Sequence, residues 1–289
     1  IPLYLFKDNF YSVTLRFGGV DYPQFLTYQT SGNFSQYGYN QPVFFYRQFA
    51  DMLNNALNLV NAALPGPQRS EIPPFVVYDE IEERFTLYLP TSYSINDIRV
   101  YFNANLYQQI QLVSSVFQGY NQPNGKDYLI TNRIVPNTLP VGTVPFNQVI
   151  LVAAGPVNVP FLTSTQERSA LYLLNEVQSI VFTSTSINVT KEFIGKNDGQ
   201  GNVGSLSIIA DFVPDQSSGR DLSEYQYNVQ GPPRLVNLTN TIPITEIDYQ
   251  VGIRFRDGTI VPLYLEPGET CEVKFGFFKK SLYDNSFEY

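Results

Sequence analysis

Along most of the chain, apolar and polar residues follow each other with the two-residue period of half-buried strands. Tyr11-Ser12-Val13-Thr14-Leu15-Arg16-Phe17 alternates in this way, and Gly18-Gly19 predicts a hairpin turn into a strand over Val20 to Tyr28. Residues 29–42 are Gln, Ser, Gly, Asn, Tyr and Pro, the composition of a loop. The period then changes. Phe45, Phe49, Met52, Leu53, Ala56, Leu57, Val60 and Leu64 recur at three- and four-residue steps with amides between them, which predicts an amphipathic helix stopped by Pro65-Gly66-Pro67. Leu106, Ile110, Val113 and Phe117 predict a second helix, with Asn105 placed to cap its start and Gly119 to end it.

Between the two helical segments, Phe75-Val76-Val77-Tyr78, Arg84 to Leu89 and Ile98 to Phe102 read as short strands. Beyond Gly125 the helical period disappears. Val149–Val152, Ser179–Phe182, Ile187–Phe193, Ser205–Phe212, Tyr225–Val229, Arg234–Leu238, Ile247–Phe255, Ile260–Leu265 and Thr270–Phe278 all read as strands. Leu171 to Val177 fits a helical turn as well as a strand. Gly195–Gly204 and Asp215–Arg220 are loops, and Asp257-Gly258 predicts a two-residue hairpin turn of the mirror-image type, with positive φ at both positions. The expected class is mainly β: an antiparallel β-sandwich or jelly roll with an additional α+β region carrying two helices. The expected units are residues 1–165, with about 30–165 as an elaboration or outer domain, and residues 166–289 as the sandwich.

Composition narrows the function. The 289 residues contain no His, which removes Ser-His-Asp and Cys-His nucleophile arrangements, imidazole metal ligands and the usual near-neutral pH switch. A lone Cys271 excludes internal disulfides and thiolate zinc sites and suits a reducing compartment. With 18 basic and 26 acidic residues the net charge is −8, so no global basic field draws in nucleic acid, and no sequence-specific nucleic-acid partner is expected. Charged residues are 15% of the chain, and the polar remainder is rich in Asn, Gln, Ser and Thr, the makeup of a surface suited to assembly. No apolar run approaches the roughly 18–20 residues that cross a bilayer, and the first residues lack the pattern of a signal peptide.

The remaining chemical candidates read as structure. Asp79, Glu80, Glu82 and Glu83 could serve glycoside hydrolysis or ligate calcium, yet they sit in a turn between two strands, where solvated acids are common. Lys196-Asn197-Asp198-Gly199-Gln200-Gly201-Asn202 has the look of a calcium loop but lacks the acidic twelfth position and flanking helices. The pairs Gly18-Gly19 and Gly199/Gly201 lack the strand-to-helix setting of a phosphate loop. The sequons at Asn33, Asn188 and Asn237 read as coincidental without a secretory signal. Cys271 sits on the apolar face of a strand with no base to activate it. Among 21 Tyr and 22 Phe, the clusters at Tyr37, Tyr39 and Tyr46 and at Tyr225 and Tyr227 could pack internally or stack on a sugar or a partner protein. No catalytic, cofactor-binding or metal residue and no cofactor are expected.

The run Ile247-Asp248-Tyr249-Gln250-Val251-Gly252-Ile253-Arg254-Phe255-Arg256-Asp257-Gly258, continued by Thr259-Ile260-Val261-Pro262-Leu263-Tyr264-Leu265-Glu266-Pro267-Gly268 and the final strand to Lys280, resembles the closing strands of penton (minor capsid) proteins of polinton-like viruses, virophages and polinton-type elements. Tyr11–Phe17 with Tyr22–Tyr28, Phe49–Leu57, Tyr101-Phe102-Asn103 with Leu106, Asn124-Gly125-Lys126-Asp127-Tyr128, Ser179–Ser184 and Ile208–Phe212 resemble stretches of the same proteins. The resemblance implies a capsomer at the five-fold vertices of an icosahedral double-stranded DNA virus. Its partners would be four more copies of itself, neighbouring major capsid subunits, and a host receptor or glycan. It would reside in the virion after synthesis in the host cytoplasm or nucleus. A sugar- or receptor-reading β-sandwich, such as a fibre head, is the rival reading.

Overall fold

A computed structural model describes residues 3–29, 41–111, 113–131, 147–154, 157–166, 176–195, 203–213, 236, 238, 244–264 and 276. In chain order its elements begin β1 (Tyr4–Phe6), β2 (Ser12–Phe17), β3 (Val20–Phe25), β4 (Gln41–Val43), α1 (Tyr46–Ala63), β5 (Phe75–Asp79), β6 (Arg84–Pro90) and α2 (Thr91–Ile95). They continue with β7 (Arg99–Phe102), α3 (Ala104–Gln109), β8 (Ser115–Phe117), β9 (Tyr128–Ile130), β10 (Asn147–Ala154) and β11 (Val157–Thr165). The last are β12 (Val177–Thr183), β13 (Glu192–Gly195), β14 (Val203–Leu206), β15 (Ile208–Phe212), β16 (Gln250–Phe255) and β17 (Ile260–Pro262). Pairing is antiparallel throughout the described strands, and the fold is mainly β.

Two sheets, ordered β3-β2-β7-β9-β8 and β10-β11-β6-β5, close on one core with α1. The apolar stripe of α1 does this: Phe49, Met52, Leu53, Ala56, Leu57 and Val60 are buried against Val13 and Leu15 of β2, Val76 of β5 and Phe85 and Leu87 of β6. Each buried Phe, Met, Leu or Val is worth about 1.5–3 kcal/mol. The amides between them serve the backbone of neighbouring elements. Asn54 donates to the Val76 carbonyl at 2.9 Å and accepts the Val76 N–H at 2.6 Å, so it acts as one more strand residue beside β5. Asn61 grips Ser70 in the same two-handed way and accepts the Tyr93 hydroxyl at 2.7 Å, which ties the end of α1 to α2. Left without partners in such places, these groups would each cost about 1–3 kcal/mol.

A third sheet, β15-β12-β16-β17, has its own cluster of Val177, Ile253, Phe255 and Val261. The strand β1 belongs to both cores. Tyr4 and Phe6 face the α1 core, whereas Leu5, one residue out of phase, faces Val177 and Phe255. A smaller cluster joins Ile187, Val189 and Ile209. Between it and β12, the Asp248 carboxylate accepts the Ser184 hydroxyl at 2.9 Å, the Thr185 hydroxyl at 2.6 Å and the Ser186 N–H at 2.7 Å.

The predicted α1, the Gly18-Gly19 hairpin and the strands expected at 75–78, 84–89 and 98–102 are all present, the strands as β5, β6 and β7. Both glycines of the hairpin have positive φ, 57° and 83°, and Phe17 pairs with Val20. Several expectations change. Gln41–Val43 is strand, not loop: it pairs with β1, and the Pro42 carbonyl accepts the Tyr28 hydroxyl, an edge position where proline's missing N–H does no harm. The second helix stops at Gln109, and Ser115–Phe117 instead pairs with β9. Its cap is Asn103, which accepts the Leu106 N–H at 2.9 Å; Asn105 lies inside the helix. Ile187–Phe193 is not one strand. The Asp248 anchor bends the chain at Ser184–Ser186, Val189 forms a single bridge, and strand resumes at Glu192. Finally, the hairpin near Gly258 has three residues, because Phe255 and Thr259 face each other and the Gly258 N–H returns to the Phe255 carbonyl. Gly258 has φ 85° while Asp257 stays out of the left-handed region, so the loop is a type I turn closed by a left-handed glycine. The strand from Ile260 runs to Pro262, and α2 was not anticipated. The expectations for 30–40, 171–175, 196–202, 214–235 and 265–275 lie outside the described residues.

The hydroxyls of Ser186, Thr185 and Ser184 and the Ser186 N–H hold the Asp248 carboxyl far below its ordinary value. A depressed carboxyl contributes stability that is complete above the unfolded value, about 3.9, and is lost as pH falls through the folded one. Asp248→Asn should therefore lower the melting temperature at pH 7, and the gap to the parent should close as pH falls below about 4. Thermal melts monitored by circular dichroism across that range are the check; a gap independent of pH would contradict the anchor.

Candidate assembly surface

Among the described residues, those singled out for chemistry do not assemble. Asp79 closes the turn between β5 and β6 by accepting the Ile81 and Glu82 N–H groups at 2.8 and 3.0 Å, which holds its exposed carboxyl below the ordinary range. Glu82 lies 3.9 Å from Arg84. The cluster is a solvated turn, and among the described residues no three acidic, Cys or His side chains converge as a metal site. Asn188 is exposed, while Asn33, Asn237, Cys271, the loop 196–202 and Tyr37, Tyr39, Tyr225 and Tyr227 lie outside the described residues. Tyr46 packs half-buried against the core. It stacks on Tyr78 at 4.9 Å and packs edge-on to Phe85, and burial pushes the Tyr78 phenol up to about 12.

Among the described residues, one group of exposed aromatic rings in mutual contact lies at the β8 margin of the first sheet. A row of rings leaves the core there. Tyr107 of α3 stacks on Tyr128 of β9 with centroids 3.9 Å apart, Phe117 of β8 lies 5.0 Å from Tyr128, and Tyr120 lies 4.8 Å beyond Phe117. Phe117 is 48% exposed and Tyr120 65%. The opposite edge of the same sheet, β3, carries Pro23 and is thereby protected against further strand pairing.

The loop that presents these rings is set by a few polar groups. Asp127, 4% exposed, accepts the Gln122 N–H at 2.7 Å and the Ala104 N–H at 2.8 Å, and its carbonyl takes the Gln118 N–H. Lys126 reaches Asp21 at 2.6 Å, with Asn124 at 3.0 Å and Arg16 at 3.7 Å from the same carboxylate. Burial alone would raise the Asp21 carboxyl, but the bonds from Lys126 and Asn124 and the charges of Lys126 and Arg16 hold it below its ordinary value. Gly119, Asn121, Asn124 and Gly125 all have positive φ, the conformation Gly and Asn tolerate best. At Gly125 a Cβ would also run into the Ser12 hydroxyl. Rings held this way lose little freedom on contact, which favours binding. The sequence signal is the Gly-Asn-rich run 119–125 between aromatics, of which only Asn124-Gly125 falls in a stretch that resembles penton proteins.

The fold and this margin define a class: a mainly β, antiparallel scaffold with an exposed aromatic margin. The chain belongs to the family of the Sputnik minor capsid protein V18/19, whose family model matches residues 8–280. It is a structural virion protein of that family. It is 28% identical over 213 residues to structural protein V19 of Sputnik virophage, covering 71% of this chain and 94% of that protein. In fold it is similar to a chain of the Sputnik virophage cryo-EM structure, with a TM-score of 0.66, 24% identity, 93% of this chain and 81% of that one covered. It is also similar to the mavirus penton protein, with a TM-score of 0.55, 13% identity, and 92% and 76% covered. The family decides for the capsid reading over the sugar-reading module.

Asp127→Ala leaves two backbone N–H groups unpaired, each worth about 1–3 kcal/mol. Urea unfolding should show a loss of about 2–4 kcal/mol, with faster amide exchange at Gln122. Asp127→Asn, which keeps an acceptor, should recover part of it. An unchanged Gln122 exchange rate in the Ala variant would mean that the loop is held by other groups.

Proposed function

We propose that this chain is a penton capsomer, associating as a ring of five at the vertices of an icosahedral double-stranded DNA virus and contacting neighbouring major capsid subunits. The observation that carries the reading is the preset, exposed Phe117–Tyr120 pair at a sheet edge of a minor capsid family member. Aromatic side chains of this kind dominate the centres of protein interfaces. Its role is contact without turnover, which agrees with a chain lacking His. A host receptor or glycan is a further partner of the outer face. The lone Cys271 suits synthesis in the reducing cytoplasm or nucleus of the host cell. The chain is organised as two units, about 1–165 and 166–289, in keeping with its separate apolar clusters, and β1 is shared by both. Among the described residues no helix is long and apolar enough to cross a membrane.

A net charge of −8 per subunit makes the subunits repel, so apolar and amide contact must hold the ring. Salt screens such repulsion, since the Debye length falls from about 10 Å at 0.1 M to about 3 Å at 1 M. Sedimentation velocity of the purified chain should show a five-fold species that persists or strengthens at 1 M salt. The double variant Phe117→Ser/Tyr120→Ser should shift it toward monomer without changing the fold. A trimer, or dissociation on adding salt, would overturn the reading.

A further inference from the structure

Where β1 meets the third sheet there is a cavity of about 260 Å³, walled by Leu5, Lys7, Glu176, Phe255 and Asp257 among others. Glu176 is the backbone link across this junction. Its N–H donates to the Leu3 carbonyl at 2.9 Å, and its carbonyl accepts the Arg256 N–H at 2.8 Å. Its side chain lines the same cavity, half-buried beside apolar neighbours. The groups that face it come from every packed segment. Lys7 and Asp8 follow β1, Arg256 and Asp257 form the turn between β16 and β17, and the phenols of Tyr4 and Tyr11 lie on the core side. Lys7 is already engaged, 3.3 Å from Asp257, which also accepts the Thr259 N–H at 2.9 Å.

We propose that Glu176 makes this junction a pH-sensitive latch: with its carboxyl protonated, β1 is held closed on the β16–β17 hairpin, and with it ionised the junction loosens. A carboxylate there must keep its hydration inside a cavity walled by Leu5, Phe6 and Phe255 as well as by charged groups, and the adjacent ammonium is shared with a competing acid. Desolvation pushes the Glu176 carboxyl up, Lys7 pulls it down, Asp257 pushes it up and Arg256 pulls it down, leaving it above its ordinary value. A carboxyl raised in the folded state contributes stability that is complete below the unfolded value, about 4.3, and is lost as pH rises through the folded one. Asp257 acts in the opposite sense. Burial would raise it, but the Thr259 bonds and Lys7 hold it below its ordinary value, so its contribution disappears only in stronger acid. The latch therefore closes best in mild acid and opens toward neutrality.

Amide hydrogen exchange of the full chain, corrected for intrinsic rates, tests this between pH 4.5 and 8 at the Glu176 and Arg256 N–H groups. Protection at these two amides should fall several-fold as pH rises in the parent. In Glu176→Gln the profile should be flat and protection at pH 7.5 higher than in the parent. In Asp257→Asn, which removes the repelling carboxylate and frees Lys7, the fall should move to lower pH. Identical profiles in the parent and Glu176→Gln, or lower protection in the Gln variant, would overturn the latch. If the Gln variant does not fold, an Asp257→Asn profile that stays in place or moves to higher pH would do the same.

Discussion

Three residues of β1 carry the constraint on which the rest depends. A strand's side chains alternate between its faces, so Tyr4 and Phe6 can serve one core only if Leu5 serves another. Neither core is complete without this strand. The α1 core needs Tyr4, edge-on to Tyr11 and Phe49, and Phe6, tilted against Tyr11, and the third sheet needs Leu5 against Val177 and Phe255. A slip of one residue would exchange the faces and spoil both. The pairing with β4 fixes that register, with Leu5 opposite Pro42.

A second feature unifies the composition. The chain is poor in charge and rich in amides, which as a sequence points to a surface made for assembly. The structure spends many of those amides inside. Gln48 bonds the Phe44 N–H and the Gln29 carbonyl, and Gln166 bonds the Phe85 N–H and the Gln111 carbonyl. Asn54, Asn61 and Asn103 do the same for other segments. Each acts as a piece of backbone placed where the chain itself does not return. An amide can donate and accept at once without an ionic desolvation cost, which is why a chain of short strands and long connections favours it.

Local signals were legible in the sequence and distant ones were not. The stripe of α1, the Gly18-Gly19 turn and the β5–β6 hairpin depend on neighbours within a few residues, and each was anticipated. The β1–β4 pair joins segments more than thirty residues apart, and nothing in Gln41-Pro42-Val43 announces a strand. Leu106, Ile110, Val113 and Phe117 fit a helical stripe, but Phe117 pairs with Tyr128 because β9 offers an edge that a helix could not use. The exposed aromatic margin escapes the sequence for a related reason. Tyr density points to Tyr46, which packs half-buried against the core, whereas Phe117 and Tyr120 are exposed at the β8 margin. Exposure is a property of the assembled layers and leaves little mark on local sequence.

The central claim is that two cores close over one strand and therefore stand or fall together. Native-state hydrogen exchange in Leu5→Ala tests it, read at Leu53 in α1 and at Ile253 in β16. Leu5 touches only the second core, so a chain of independent units would lose protection at Ile253 alone. The shared strand predicts that the free energy of opening falls by the same amount at both amides. A fall confined to Ile253, with Leu53 unchanged, would contradict the account.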